Sequence, residues 1–205
     1  MQASLLMMIF VCNVLKMALL KNKTSLFLLA GISVLLFTGF KRPGSGEQKG
    51  VNWVSFNEAV KLNQAHPKKI FIDVYTSWCG WCKKMDASTY TDPAVIAYMN
   101  KNFYAVRLDA ETRDTFYFNN HTFVNANAAT QKGAVNELPY SLLDGKMMYP
   151  TTVYLDEKFT RLSVAPGYLD VNDLKTVLSF FADNKYKTMS FDEYKKQAQP
   201  QPVSK

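Results

Sequence analysis

From residue 51 to residue 183 the chain alternates short apolar runs with stretches of helical period. Ile70-Phe71-Ile72-Asp73-Val74-Tyr75, extended back to Lys69, is apolar on both faces except at Asp73, which predicts a central strand in a covered sheet. Phe103 to Leu108, alternating into Asp109, predicts a second central strand. Thr151 to Leu155 and Thr160 to Ala165 predict a strand pair turned at Asp156-Glu157-Lys158. Between them lie helix signals. Ser55 with Glu58 three residues later has the form of a capping box, opening a helix to about Asn63 that His66-Pro67-Lys68 ends. Lys83 to Thr89 continues a helix, and Asp92-Pro93 caps and starts another to about Asn100. Asp170 or Asn172 caps an amphipathic helix with Leu174, Val177, Leu178 and Phe181 on one face, and Ser190 to Ala198 adds a short helix before a Gln/Pro tail.

Residues 110–148 are less regular and read as an insert. Phe116 to Phe123 has the form of a small hairpin turned at Asn119-Asn120, because Asn tolerates the left-handed backbone such turns need. Ala134 to Leu143 predicts a short helix limited by Pro139 and stopped by Gly145. Strand, helix, strand, then an antiparallel pair and a closing helix imply an α/β fold with helices on both faces of a mixed sheet.

The amino terminus follows a different pattern. Lys21 and Lys23 precede the uncharged run Leu26 to Phe40, then Lys41-Arg42-Pro43-Gly44-Ser45-Gly46. About 15 apolar residues suit a signal peptide or a membrane anchor, and the absence of a clean small-x-small cleavage site leaves both open. A second apolar run, Leu5 to Leu15, precedes it, and translation starting at Met17 would restore the usual order of basic, apolar and polar regions. The organisation is therefore a leader over 1–40, a linker over 41–50, a domain over 51–183 and a C-terminal extension over 184–205. The formal charge of +7 is inflated by the leader: beyond residue 40 there are 21 bases against 17 acids, with no basic stripe interleaved with aromatics, so no nucleic-acid partner is expected. An exported domain works where disulfides persist.

Chemistry concentrates at Trp78-Cys79-Gly80-Trp81-Cys82-Lys83, where the first strand hands over to a helix. Two cysteines two residues apart at a helix start read as a redox dithiol. The helix dipole and its unpaired N–H groups favour thiolate at Cys79, the nucleophile, and Cys82, one turn further in, resolves the mixed disulfide. Asp73 lies in an otherwise apolar strand, where burial raises a carboxyl pKa and suits it to exchange a proton with Cys82; solvent exposure, or pairing with a lysine such as Lys84, is the structural alternative. Trp78 and Trp81 flank Cys79 and form either an apolar platform for a partner or, for Trp78, part of the core. Tyr149-Pro150 stands at the head of a strand, where a cis bond would shape a groove for an extended substrate, although position alone favours trans.

These residues resemble the thioredoxin superfamily, through Asp73, Trp78, Cys79, Cys82, Lys83, Pro150 and, after the last strand, Gly167. The resemblance spans roughly 51–183. In Cys-Gly-Trp-Cys-Lys-Lys-Met and Tyr-Pro-Thr the chain is similar to exported thioredoxin-like proteins of bacterial envelopes and to reductase domains attached to membrane electron carriers. The resemblance implies a three-layer α/β/α fold with an insert before the cis-proline strand, and a thiol-disulfide oxidoreductase acting on protein thiols and disulfides as reductant. It further implies substrate contacts from Trp78, Gly80, Trp81, Tyr149 and Pro150, a membrane electron donor as candidate partner, and no cofactor. Gly80-Trp81 replaces the Gly-Pro of thioredoxin itself, so the redox potential does not carry over.

Other chemistries lack their residues. The third cysteine, Cys12, falls in the leader, and the Cys79–Cys82 pair with only His66 and His121 does not complete a zinc site, so no metal is expected. Lys83 rather than His follows Cys82, against haem attachment, and a Cys79 hydrolase would need a base that His121, in the insert, does not supply. The remaining alternative is a redox-silent envelope binding module using the same groove.

Overall fold

The computed structural model describes residues 50–198. The expected leader, all but Gly50 of the expected linker, and residues 199–205 lie outside the described residues. In chain order the elements are β1 (Trp53–Val54), α1 (Phe56–Ala65), β2 (Lys69–Tyr75), α2 (Gly80–Ala87), α3 (Pro93–Asn102), β3 (Phe103–Asp109), β4 (Phe116–Phe118), β5 (His121–Phe123), α4 (Glu137–Leu142), β6 (Thr151–Leu155), β7 (Arg161–Pro166), α5 (Val171–Ala182) and α6 (Phe191–Ala198).

The main sheet has the order β1-β3-β2-β6-β7, with β1, β3 and β2 parallel and β6 and β7 antiparallel to their neighbours. β2 is its middle strand and is buried from Lys69 to Val74, which is why its sequence shows no polar alternation. Ile70, Ile72 and Val74 point to one side, into a core shared with Phe56 and Ala59 of α1, Leu138 of α4 and Phe116 of the hairpin. Phe71 points to the other, against Met85 of α2, Val95 and Met99 of α3, and Leu174, Leu178 and Phe181 of α5. Successive β2 side chains thus serve two helical layers, and the fold is the thioredoxin-like three-layer α/β/α arrangement.

Several local features differ from the sequence pattern, each for a physical reason. β1 is two residues long, paired Trp53 to Ala105, and too short to carry a period. α2 begins at Gly80 with Cys79 as its N-cap, at the helix start read from the motif, and ends at Ala87 rather than Thr89, which falls in a following short 3₁₀ turn. α4 begins at Glu137, capped by Asn136 accepting from the Leu138 N–H; Pro139 does not limit it, since it falls in the first turn where no intrahelical donor is needed. Asp170, not Asn172, caps α5. In the insert, Asn119 and Asn120 turn the β4–β5 hairpin with φ of 51° and 58°. Beyond residue 183 the chain packs back on α5, with Phe191 and Tyr194 of α6 against Phe180 and the Tyr194 hydroxyl 2.9 Å from Ser179 Oγ.

Candidate active site

β2 ends at Tyr75, and Thr76-Ser77-Trp78 turns the chain into α2, with the Cys79 N–H bonded to the Thr76 carbonyl at 3.2 Å. Cys79 sits at the N-cap, its Sγ accepting from the Cys82 N–H at 3.1 Å, and the two cysteines form a disulfide. The donor that caps the helix is therefore placed to hold a thiolate at Cys79 once the bond is reduced, and the dipole acts in the same direction. Burial does not separate the two residues, which are 5% and 2% exposed. The helix terminus does, because only Cys79 occupies it.

Asp73 is 1% exposed and lies, like Phe71, on the α2 side of the sheet. Cys82 and Met85, three residues apart, are the buried face of α2 toward that side. Arg107, the partner of Asp73 in the β2–β3 register, brings Nε to 3.1 Å from Asp73 Oδ2, and its two terminal nitrogens bond both oxygens of Asp86 on α2. Tyr75 lies under the guanidinium at 4.3 Å, with Trp53 and Tyr90 also facing it. The Nε approach to Asp73 is an ion pair without hydrogen-bond alignment, and the buried Tyr90 hydroxyl acts on the Asp73 carboxyl, lowering its pKa, without well-formed hydrogen-bond geometry. Burial pushes the Asp73 carboxyl up to about 6, against the opposing pull of Arg107. The lysine alternative does not occur, because Lys84 Nζ stands over the rings of Trp81 and Tyr168 at 4.8 and 5.0 Å.

The two indoles beside the disulfide lie on the surface, Trp78 64% and Trp81 57% exposed, so neither is a core residue. Trp78 donates its Nε1–H to Glu111 Oε1 at 2.7 Å and meets Tyr149 edge to face at 5.8 Å. Burial, together with Glu111 and Asp109, pushes the Tyr149 hydroxyl up to about 12. Trp81 meets Tyr168 at 5.5 Å. A Cβ on Gly80 would have nothing within 4 Å, so the middle of the motif is open. The Tyr149–Pro150 bond is cis, and β6 begins at the next residue, pairing Thr151 with Val74 and so carrying Pro150 to the end of β2 where the dithiol turn starts. The Gly167 N–H holds the Pro150 carbonyl at 2.8 Å.

Asp73, Trp78, Cys79, Gly80, Trp81, Cys82, Tyr149 and Pro150 thus converge at one end of the sheet. Arg107, Asp86, Glu111 and Tyr168 complete the surroundings and are not apparent from the motif alone, and Lys84, which the motif contains, stands over Trp81 and Tyr168. Arg107 had a signal, as the single cation in an apolar strand beside another strand carrying a single acid. Among the described residues no group of three or more His, Cys, Asp or Glu side chains is placed to hold a metal ion, and His121 is an exposed hairpin residue 3.7 Å from Glu137 Oε2.

The family described as Thioredox_DsbH, protein of unknown function (DUF255), matches residues 45–187. The chain is 28% identical over 96 residues to an uncharacterized protein of Caenorhabditis elegans, covering 42% of this chain and 13% of that protein. It is 30% identical over 63 residues to an uncharacterized protein of Archaeoglobus fulgidus, covering 31% and 50% respectively. It thus spans half or less of the length of these curated relatives. A thioredoxin-fold protein from Helicobacter pylori superposes with a TM-score of 0.51 at 17% identity over 75% of this chain and 89% of that one, a likeness of fold.

Proposed function

Because the chain belongs to the thioredoxin-like family described as Thioredox_DsbH, we propose that it is a thiol-disulfide oxidoreductase that reduces disulfides of proteins outside the cytoplasm. The observation that carries this reading is the Cys79–Cys82 disulfide at the N-terminus of α2, with the buried Asp73 on the same side of the sheet. In the reduced protein the Cys79 thiolate attacks one sulfur of a substrate disulfide and releases the other as thiolate. Cys82 gives its proton to the Asp73 carboxylate and attacks Cys79 Sγ, which frees the second substrate thiolate and closes the Cys79–Cys82 bond. The substrate gains two electrons and the protein loses two. With its carboxyl near 6, Asp73 is mostly ionised at neutral pH and still basic enough to take the proton.

Trp78, Gly80, Trp81, Tyr149 and Pro150 form the rim that receives the substrate. Each cycle needs a donor of two electrons, and a membrane electron carrier is the candidate. The export reading draws on the basic and apolar order of residues 1–40; among the described residues no helix is long and apolar enough to cross a membrane.

Equilibration of the full chain against glutathione buffers tests the reading. One reversible two-electron transition is expected, lost in Cys79→Ser, while Cys82→Ser accumulates mixed disulfides with its substrates. A strongly reducing midpoint supports the reductant direction, and the absence of any reversible transition removes the enzymatic reading.

A further inference from the structure

The two flanks of the disulfide carry opposite charge. On the Trp78 side the indole is fixed by Glu111, and Asp109 and Glu111 both act on the adjoining Tyr149. On the Trp81 side the pair Trp81–Tyr168 is crowned by Lys84, and Lys83 is exposed beside it. Lys84 lies three residues after Trp81 on α2, and its ammonium is shared between the two ring faces. Among the described residues neither Lys83 nor Lys84 has an ion-pair partner, and the first turn of α2 contains no acid. The cation is thus held over the exposed Trp81 indole and the half-buried Tyr168 ring, with Asp170 acting on the Tyr168 hydroxyl but no carboxylate within ion-pair distance of Lys84 among the described residues.

Trp81 stands between the two cysteines, so a chain bonded to Cys79 passes close to it. We propose that Trp81, Tyr168 and Lys84 form a specificity-determining subsite that takes an extended peptide segment carrying an aromatic or large aliphatic residue and a neighbouring carboxylate beside the disulfide-bonded cysteine. The apolar side chain covers the exposed indole and the open part of the half-buried phenol, and the carboxylate pairs with Lys84 without displacing it from the rings. Charge complementarity selects this occupant: a basic residue on this flank meets Lys83 and Lys84, and an acidic one on the opposite flank meets Glu111 and Asp109. The inference rests on the oxidoreductase reading and adds to it the class of segment preferred.

The test uses synthetic peptides with one cysteine in disulfide linkage to glutathione, carrying Phe with either Asp or Lys on the N-terminal or the C-terminal side of that cysteine. Reduction by the full-length protein is followed as kcat/KM, with hydroxyethyl disulfide as the reference for dithiol reactivity. In one of the two registers Asp is preferred over Lys by about fivefold, a preference that shrinks as ionic strength rises. Lys84→Gln brings the ratio toward one and Lys84→Glu inverts it, while Tyr168→Ala removes the advantage of Phe over Ala at the apolar position. A protein that reduces hydroxyethyl disulfide but shows less than a twofold charge preference in both registers, or one whose preference survives Lys84→Glu, overturns this inference alone. A protein that reduces neither the peptides nor the reference disulfide overturns the oxidoreductase reading and this one with it.

Discussion

Arg107 on β3 and Asp73 on β2 are register partners, and the guanidinium that approaches Asp73 Oδ2 at 3.1 Å also grips Asp86 on the helix that carries the dithiol. One cation therefore ties the buried acid to α2, while Asp73 Oδ1 has no well-formed hydrogen bond and the Tyr90 hydroxyl adds only a smaller opposing pull. The carboxylate is only partly compensated, which is why burial still prevails and its pKa stands at about 6.

Asp73→Asn should stabilise the oxidised protein at neutral and alkaline pH. A carboxyl raised from 3.8 to about 6 binds its proton more tightly in the folded state, so stability is lost as pH rises through that window. At 1.36 kcal/mol per pH unit the loss is about 3 kcal/mol above pH 6, and close to zero below pH 3.8. Urea unfolding of both proteins at pH 4 and pH 8 checks this, with a gap that opens toward pH 8 in favour of the variant. A less stable variant at pH 8 would show that Asp73 is compensated in the folded protein. The same variant should slow the step in which Cys82 attacks.

Opposite displacements are expected from the two neighbours of Asp73. Arg107 lowers its pKa and Asp86 raises it, so Arg107→Met should move the pH midpoint of Cys82 attack above 6 and Asp86→Asn should move it down. Single-turnover reduction across pH 5 to 9 reads both. Loosening of the site alone would slow both variants without moving the two midpoints apart.

Much of this arrangement is legible in the chain, because the signals are local. A strand buried on both faces cannot alternate, so Ile70 to Val74 announces itself, Phe103 to Leu108 does so by an apolar run with Tyr104 and Arg107 half-buried, and caps such as Ser55, Asp92 and Asp170 act within three residues. The Cys79–Cys82 spacing is equally local. What the chain does not announce is contact between distant segments: Glu111 on Trp78, Tyr168 on Trp81, and the choice of Arg107 over Lys84 as the partner of Asp73. The last is set by sheet register and the other two by where the chain leaves β3 and β7, which a single sequence does not state. Pro139 misleads for a related reason, since its effect depends on whether the helix begins before or after it.

The insert should be most sensitive at Asn136. This residue is fully buried, caps α4 through the Leu138 N–H, donates Nδ2 to the Asp114 carbonyl at 2.9 Å, and gives its own N–H to the Ala110 carbonyl. Asn136→Ala should cost about 2 kcal/mol, from a lost cap and a lost, partly buried hydrogen bond to the Asp114 carbonyl. Asn136→Asp should cost more, because it keeps the cap but turns a carboxylate oxygen toward that carbonyl. Denaturant unfolding gives the order, and hydrogen exchange should place the loosening in residues 110–137.

Gly80 and Gly167 should respond in opposite ways to alanine, although neither site is crowded: a Cβ at either would meet nothing within 4 Å. Gly80 opens α2, where alanine is a better helix residue, so Gly80→Ala should be neutral or stabilising within about 0.5 kcal/mol. Gly167 has a φ of +104° just after β7, and its N–H holds the Pro150 carbonyl at 2.8 Å. An L side chain there is strained by the backbone alone, so Gly167→Ala should cost about 1–2 kcal/mol. If the chain relaxes toward negative φ to relieve that strain, the Gly167–Pro150 bond is lost and Tyr168 shifts against Trp81, which is detectable as a change in Trp81 fluorescence in a Trp53→Phe, Trp78→Phe background. Equal stability of the two glycine variants would show that the turn after β7 is not held at this φ.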